Sequence, residues 1–454
     1  ETVIEGGHFG TKENPKREVN LGIVITHFNR KQYVIPAIKR LKEELFSDYL
    51  YKNNIELIVV DNSQNLPDLK SESVTIIPND NLGGSGGFAR GLLHLTNQSK
   101  FSHCLFMDDD ATCEIESIKR TFAFMKFSKV EKLAICGALL RETEPYRLME
   151  MGAKFDGYVK PIKVGLDMRD VGDLMLSEVE HVKPDYGAWW FFCFKIKEVE
   201  EFPFPFFVRG DDSRFSIRNK FKIMGMNGIS VWGEDFASKT SPMNCYLDMR
   251  YHLLHQVNLI KKNRLFLIKH ILNYTLIQLA SYNYTSAEAA LEGAADFSRG
   301  PKIFKKHGNI KLARERISRL GNPEKLKLNF MDETEFGHGP VHESKLRWFI
   351  RRFTINGTLF PFLFIKHNII FQFKEFSANT CQTFGFKKIA YEYEPHKTGY
   401  IAEYSYLKTL RILRKLLITL LVIYVKFDFL KKDFRLNAPK LCTKQFWERT
   451  YSKK

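Results

Sequence analysis

Four short apolar, β-branched runs punctuate the first quarter of the chain: VNLGIVITH (19–27), IELIVVD (55–61), VTIIP (74–78) and HCLFM (103–107). Each ends in polar residues, and continuous runs of this length predict buried strands of a mainly parallel sheet. Between them, RKQYVIPAIKRLKEELF and GGFARGLLHLTNQ carry apolar residues at helical spacing. Strand and helix in alternation imply an α/β sheet flanked by helices, with ligands at the carboxyl ends of the strands. Polar clusters fall at those ends: Thr26 to Arg30, Asp61-Asn62, Asn79 to Gly87, and Asp108 to Asp110.

A second block, 186–236, holds an aromatic strand YGAWWFFCFKI, a turn FPFPFFVRGDDSRFSIRNK and an apolar strand IMGMNGISVWG. Residues 246–293 have helical spacing, and 294–345 are polar and basic without a strong period. In YLKTLRILRKLLITLLVIYVKF, Leu410, Leu413, Leu417, Leu420, Leu421 and Tyr424 form one helical stripe, while Lys408, Arg411 and Lys415 mark another face. The uncharged core, 416–425, falls short of the about 20 residues that a bilayer span needs. Such a helix either packs its stripe on the protein's own core or lies in an anionic membrane interface. The stretch RWFIRRFTINGTLFPFLFIKHNIIFQF (347–373) has the same two readings. The expected division is a linker, or the end of an absent N-terminal β domain, over 1–18, a catalytic domain over 19–262, and a helical, basic, membrane-associating region over 263–454.

The length, 454 residues, exceeds what a single core usually supports. A net charge of +17 favours an anionic partner, and residues 401–454 hold 13 basic against 4 acidic side chains. Seven cysteines without CxxC pairs fit a reducing compartment and argue against a zinc cluster. The first residue is Glu1, so an N-terminal portion is expected to have been removed or left out.

In MDDDAT (107–112) three adjacent carboxylates need something positive among them. Water at a loop is the plain answer; Mg²⁺ or Mn²⁺ is the functional one, since such ions take grouped oxygen ligands and bridge phosphates. In an extended segment Asp108 and Asp110 point the same way and form the natural ligand pair. NDNLGGSGGFARG (79–91) lets backbone approach a ligand and presents a helix start to an anion, though a Gly-rich turn is often only a turn. It is neither GxGxxG nor a Walker loop. RGDDSR (209–214) supplies a second acidic pair whose arginine neighbours are expected to keep it ionised, or else a pair of helix caps. Trp189 and Trp190 on a strand would point to opposite faces, so that one at most lines a site.

In this order, Asp61, the NxGGxGGxxRG stretch, MDDD, WW and GDD resemble the inverting family 2 glycosyltransferases of the GT-A fold, and among them the bacterial galactofuranosyltransferases. The likeness runs from about residue 18 to 260 and is fainter at LRWFIRRFTINGTLFP and YEYEPHKTGY. It implies donor contacts from Thr26, Asn29, Arg30, Asp61, Asn81, Gly83, Gly84 and Arg90, with Asp109 on the sugar side. It further implies Mn²⁺ or Mg²⁺ held by Asp108 and Asp110, an acceptor wall of Trp189 and Trp190, Asp212 as catalytic base and Asp211 as a sugar contact.

Two departures stand out. Gly233 occupies the place of a metal-binding His, leaving Glu234, Asp235 or water as substitute, and Asp248 occupies the place of a His that touches the sugar phosphate. The resulting expectation is a peripheral enzyme at the cytoplasmic face of the bacterial inner membrane, self-associating and binding no nucleic acid. It would move galactofuranose from UDP-galactofuranose to a lipid-linked glycan in O-antigen, capsule or galactan synthesis. Rhamnosyl transfer from dTDP-rhamnose, nucleotidyl transfer, and a non-enzymatic basic lipid- or nucleic-acid-binding protein are the alternatives. His27, His252 and His255 are read as structural.

Overall fold

A computed structural model describes residues 10–452 except 180, 235–239, 306–307, 322, 329, 331–335, 361–364 and 394–395. The first half runs β1 (Leu21–His27), α1 (Lys31–Glu44), β2 (Ile55–Asp61), β3 (Val74–Pro78), α2 (Gly83–Asn97) and β4 (His103–Asp108). It continues through β5 (Thr112–Cys113), α3 (Ile115–Phe127), β6 (Leu133–Cys136), β7 (Ala138–Arg141), β8 (Leu148–Glu150), β9 (Ala153–Phe155) and β10 (Val159–Pro161). Then come α4 (Val171–Glu178), β11 (Phe191–Lys195), α5 (Asp211–Asn219), β12 (Lys222–Met224) and β13 (Ser230–Gly233).

The central sheet has the order β12-β6-β11-β4-β1-β2-β3. Its strands are parallel at β1–β2, β2–β3, β1–β4 and β6–β12, while β11 runs antiparallel to β4 and β6. Strand alternation divides the apolar runs between two cores. Ile23, Ile25, Leu57, Val59 and Leu105 face α1 and α3, and Val24, Ile58, Val60 and Phe106 face α2. Burial on both faces is why these strands read as unbroken apolar runs. Two glycines of the NDNLGGSGGFARG stretch serve this packing: a Cβ on Gly87 would fall 2.2 Å from the Thr26 methyl, and one on Gly91 2.2 Å from Val24.

The second half holds α6 (Pro242–Leu254), α7 (Arg264–Ala280), α8 (Tyr284–Phe297), α9 (Gly308–Arg319), β14 (Lys327–Leu328), α10 (Lys345–Phe353) and β15 (Lys366–Phe373). It ends with α11 (Thr380–Thr383), β16 (Phe386–Tyr393), β17 (Thr398–Glu403), α12 (Tyr406–Asn437) and α13 (Lys444–Tyr451). The helical region expected here is present, with an unforeseen four-stranded sheet, β14-β17-β16-β15, inserted in it. α13 returns to the first half, where fully buried Trp447 joins the α2 side of the sheet and donates from Nε1 to Pro203 O at 2.9 Å. Among the described residues no helix is long and apolar enough to cross a membrane.

Candidate functional site

The DDD turn is answered first by side chains. Asp108 closes β4 opposite Thr26 of β1, and Asp109 and Asp110 lie in the turn that follows. Arg30, at the start of α1, reaches Asp109 at 3.2 Å and also pairs with Asp110. Asp109 accepts further from the Phe28 amide at 3.2 Å and lies 3.4 Å from His27 Nδ1. Burial works against the charge on Arg30, yet Asp110 and Asp109 outweigh it and hold the guanidinium above its ordinary range. His27 follows the same logic: burial is outweighed by Asp109 and Asn65.

Asp61 is committed to backbone. Its carboxylate accepts from the amides of Ser63 (3.0 Å), Asn65 (2.9 Å) and Leu66 (2.9 Å), folding the loop after β2. Asn29, in the left-handed region at φ 57°, joins that loop through Ser63 and Asn65. Asn81 accepts from the Gly83 amide at 3.1 Å. Gly83 has φ 70°, and a Cβ there would lie 2.1 Å from Phe207 O, so only glycine fits. Arg90 points elsewhere than expected: its guanidinium packs over Tyr451 of α13, 4.7 Å from the ring centre, and takes no part in lining the cavity described next.

A cavity of about 820 Å³ lies beyond the strand ends. Of the expected residues it is lined by Arg30, Gly84, Asp108, Trp189, Trp190, Asp211 and Asp212. Thr26, Asn29, Asp61, Asn81, Gly83, Asp109 and Asp110 are not among its lining residues. The tryptophans depart from the strand reading. They occupy a turn before β11, so both line the cavity, Trp189 against Phe88, Phe106 and Phe215 and Trp190 donating to Gly137 O at 3.0 Å.

Asp211 and Asp212 open α5, whose N-cap is Gly210 in the left-handed region at φ 77°. His255 Nε2, 2.9 Å from Gly210 O and 3.2 Å from Ser213 Oγ, fixes this corner from α6's continuation. Asp211 accepts from Ser85 Oγ at 2.7 Å. Asp212 accepts the Ser213 amide at 2.6 Å and is half-buried at the cavity wall. The expectation that neighbouring arginines keep the pair ionised is overturned. Arg214 turns away to Glu201 and Asn258, and Arg209 goes chiefly to Asp248 at 3.7 Å. Burial therefore dominates and pushes Asp211 up to about 6. Asp212 is driven well above the carboxylate range by burial and by the charges of Asp211, Glu150 and Asp108.

Three further groups line the cavity, and of these the sequence reading missed Glu150. Glu150, at the end of β8, is buried, and its Oε1 has no partner among the described residues; burial lifts it to about 7. Arg209 lines the same cavity as Arg30. Asp248 accepts from Tyr274 OH at 3.5 Å and pairs with Arg209, so the position that departs from the resemblance still brings a cation to the wall.

The residues do not assemble a metal site as they stand. Among the described residues no group of three His, Cys, Asp or Glu side chains is placed to hold an ion. Arg30 occupies Asp110, Gly233 offers no ligand, and Asp235 lies outside the described residues.

With this geometry in view, residues 22–151 match the model for Glycosyl transferase family 2. The chain is 25% identical over 333 residues to the galactofuranosyltransferase GlfT2 of Mycobacterium tuberculosis, covering 66% of this chain and 51% of that one. It is 24% identical over 335 residues to GlfT2 of Mycolicibacterium smegmatis, covering 66% and 50%. The chain thus spans about half the length of these curated relatives. Distant solved structures include the mannosyltransferase PcManGT from Pyrobaculum calidifontis with GDP-Man and Mn²⁺, at TM-score 0.36 and 13% identity over 68% of this chain and 89% of that one. The mixed sheet, the strand-end cavity and the match over 22–151 converge: the chain carries a glycosyl transferase family 2 domain.

Proposed function

We propose that the protein is an inverting glycosyltransferase that moves galactofuranose from UDP-galactofuranose onto a hydroxyl of a lipid-linked glycan, in the synthesis of a surface polysaccharide. The observation that carries this reading is the acid pair Asp211-Asp212 facing the strand-end cavity together with two guanidiniums, Arg30 and Arg209. The names of the two curated relatives support the choice of sugar.

In this reading Asp212, the less engaged member of the pair, takes the proton of the acceptor hydroxyl as that oxygen attacks the anomeric carbon. The bond from that carbon to the diphosphate breaks on the opposite face, and the nucleotide leaves with the electron pair. Arg30 and Arg209, which line the same cavity, offset its charge. Burial and the neighbouring carboxylates raise the proton affinity of Asp212, which strengthens it as a base once its own proton has left.

The test is transfer from UDP-galactofuranose and from dTDP-rhamnose, each with Mn²⁺, Mg²⁺ or EDTA, for wild type and Asp212→Asn. Turnover of UDP-galactofuranose with inverted configuration, lost in the mutant, is the expected result. Turnover of dTDP-rhamnose alone changes the donor. Turnover of neither, with salt-sensitive RNA binding, overturns the reading in favour of a binding protein.

A further inference from the structure

Among the described residues, none of the sheet β14-β17-β16-β15 lines the strand-end cavity. One charged side chain nevertheless runs from this sheet to the cavity's edge. Lys374, directly after β15, is 4% exposed, and its amide donates to Glu392 O of β16 at 2.7 Å. Its ammonium donates to Thr240 O at 3.1 Å, across 134 residues of sequence. The segment that bears it is itself fixed: Gln278 Nε2 of α7 donates to Phe376 O at 3.2 Å, and the Ala378 amide donates to Ser281 Oγ at 3.0 Å. A buried ammonium costs stability unless it is paired, and an apolar side chain would fill the same space. What the lysine adds is a hold on Thr240.

Thr240 stands next to Ser241, which caps α6 by accepting the Asn244 amide at 3.3 Å. Ser241, Asn244, Asp248 and Tyr251 all line the cavity, and Asp248 is the partner of Arg209. Farther along, α6 is pressed against α8, where a Cβ on Gly293 would lie 2.4 Å from Tyr246 O. Lys374 adds a separate hold on the chain where it enters the first turn.

We infer that Lys374 is a positioning residue: through Thr240 it fixes the entry to α6, and so sets where Asn244, Asp248 and the Arg209 paired with Asp248 stand in the cavity. Its consequence for turnover rests on the transferase reading, whereas the hold on α6 does not. Burial lowers Lys374 to about 8, against the opposing pull of Cys245 on α6 and of Glu324, ahead of β14. Glu324 itself accepts the amides of Thr285 (2.9 Å) and Ser286 (3.1 Å) at the start of α8. Burial pushes Cys245 up to about 12, and it also raises Tyr391 and Tyr400, which feel Glu324 from β16 and β17. These three therefore keep their protons from pH 7 to pH 9, while Lys374 passes from mostly charged to mostly neutral.

The experiment is hydrogen exchange of the full chain, read at the amides of residues 244–248 as protection over the intrinsic rate, at pH 7 and pH 9. It compares wild type, Lys374→Met and Lys374→Arg, beside kcat/KM for UDP-galactofuranose at pH 7. At pH 7 protection is expected to be roughly tenfold lower in Lys374→Met, the size of one charged hydrogen bond, and near wild type in Lys374→Arg. Wild-type protection should fall from pH 7 to pH 9 and that of Lys374→Arg should not, because a guanidinium keeps its charge. A side chain that only fills space would give no such difference. Turnover should follow protection, lowered in Lys374→Met and restored in Lys374→Arg. Equal protection in wild type and Lys374→Met, or wild-type protection that stays level to pH 9, overturns the inference, as does lowered protection with kcat/KM unchanged. Protection that follows Lys374 without turnover of any sugar nucleotide upholds the hold on α6 and overturns the transferase reading instead. If Lys374→Met does not fold, the pH series on wild type decides.

Discussion

The Ser85 hydroxyl donates to the Asp211 carboxylate across 126 residues of sequence at 2.7 Å. Through this bond, and through the Ser85 amide on Phe207 O at 3.1 Å, the start of α2 and the acid corner of α5 form one unit. The bond also opposes the burial that lifts Asp211 to about 6. Ser85→Ala is therefore expected to raise the Asp211 carboxyl further, by roughly half to one pH unit. An NMR titration of the carboxyl groups in wild type and variant checks this.

The two acids are expected to separate kinetically. Asp212→Asn removes the less engaged carboxylate and should lower kcat by roughly 10²–10⁴-fold with little change in KM. Asp211→Asn keeps the shape and can still accept from Ser85, so its effect on kcat should be smaller. Steady-state kinetics on donor turnover distinguish them, and equal losses would contradict the division of roles.

Glu150 makes stability depend on pH. Its folded value of about 7 lies above the ordinary 4.5, so between those values the folded state holds a proton that the unfolded state has released. Unfolding free energy then falls as pH rises through this window, by about 3 kcal/mol when complete. Glu150→Gln keeps the shape without the charge. Denaturant unfolding should find the variant near neutral at pH 5 and more stable than wild type at pH 8.

Arg30 and a divalent cation compete for the same carboxylates. With the guanidinium on Asp109 and Asp110, ion binding at Asp108 and Asp110 should be weak, and Arg30→Ala should tighten Mn²⁺ binding by roughly tenfold. Calorimetric titration of Mn²⁺ into the donor-free protein reads this directly. Weaker binding in the variant would show that Arg30 supports an ion instead of replacing it.

The central strands were legible because both faces are buried, which leaves uninterrupted runs of Ile, Leu and Val; β1 to β4 fall within two residues of their expected bounds. The strand-end clusters were legible for the same topological reason. The electrostatics of the acid pair were not, because adjacency in RGDDSR says nothing of direction: Arg214 leaves toward Glu201 and burial takes over. Glu150 sits in an ordinary stretch, RLMEMG, and gains its character only from what surrounds it. The β14–β17 sheet was hidden within basic and aromatic sequence, and its first strand pairs far along the chain, Lys327 with Gly399. In α12 the helix was readable, but apolar residues all round it left the buried side undetermined.

α13 sets the order in which the molecule can be completed. Trp447 fills the α2 side of the sheet from 244 residues beyond Pro203, and Tyr451 donates to Gly86 O at 2.5 Å across 365 residues. A chain emerging from the ribosome has made β1 to β4 long before it makes the indole that closes their core, so that core stays open to chaperones and to neighbouring chains until synthesis reaches residue 451. Trp447→Ala, far in sequence from every cavity residue, is expected to cost about 3–5 kcal/mol in denaturant unfolding and to lower soluble yield. The helical second half is thereby made a condition for finishing the first.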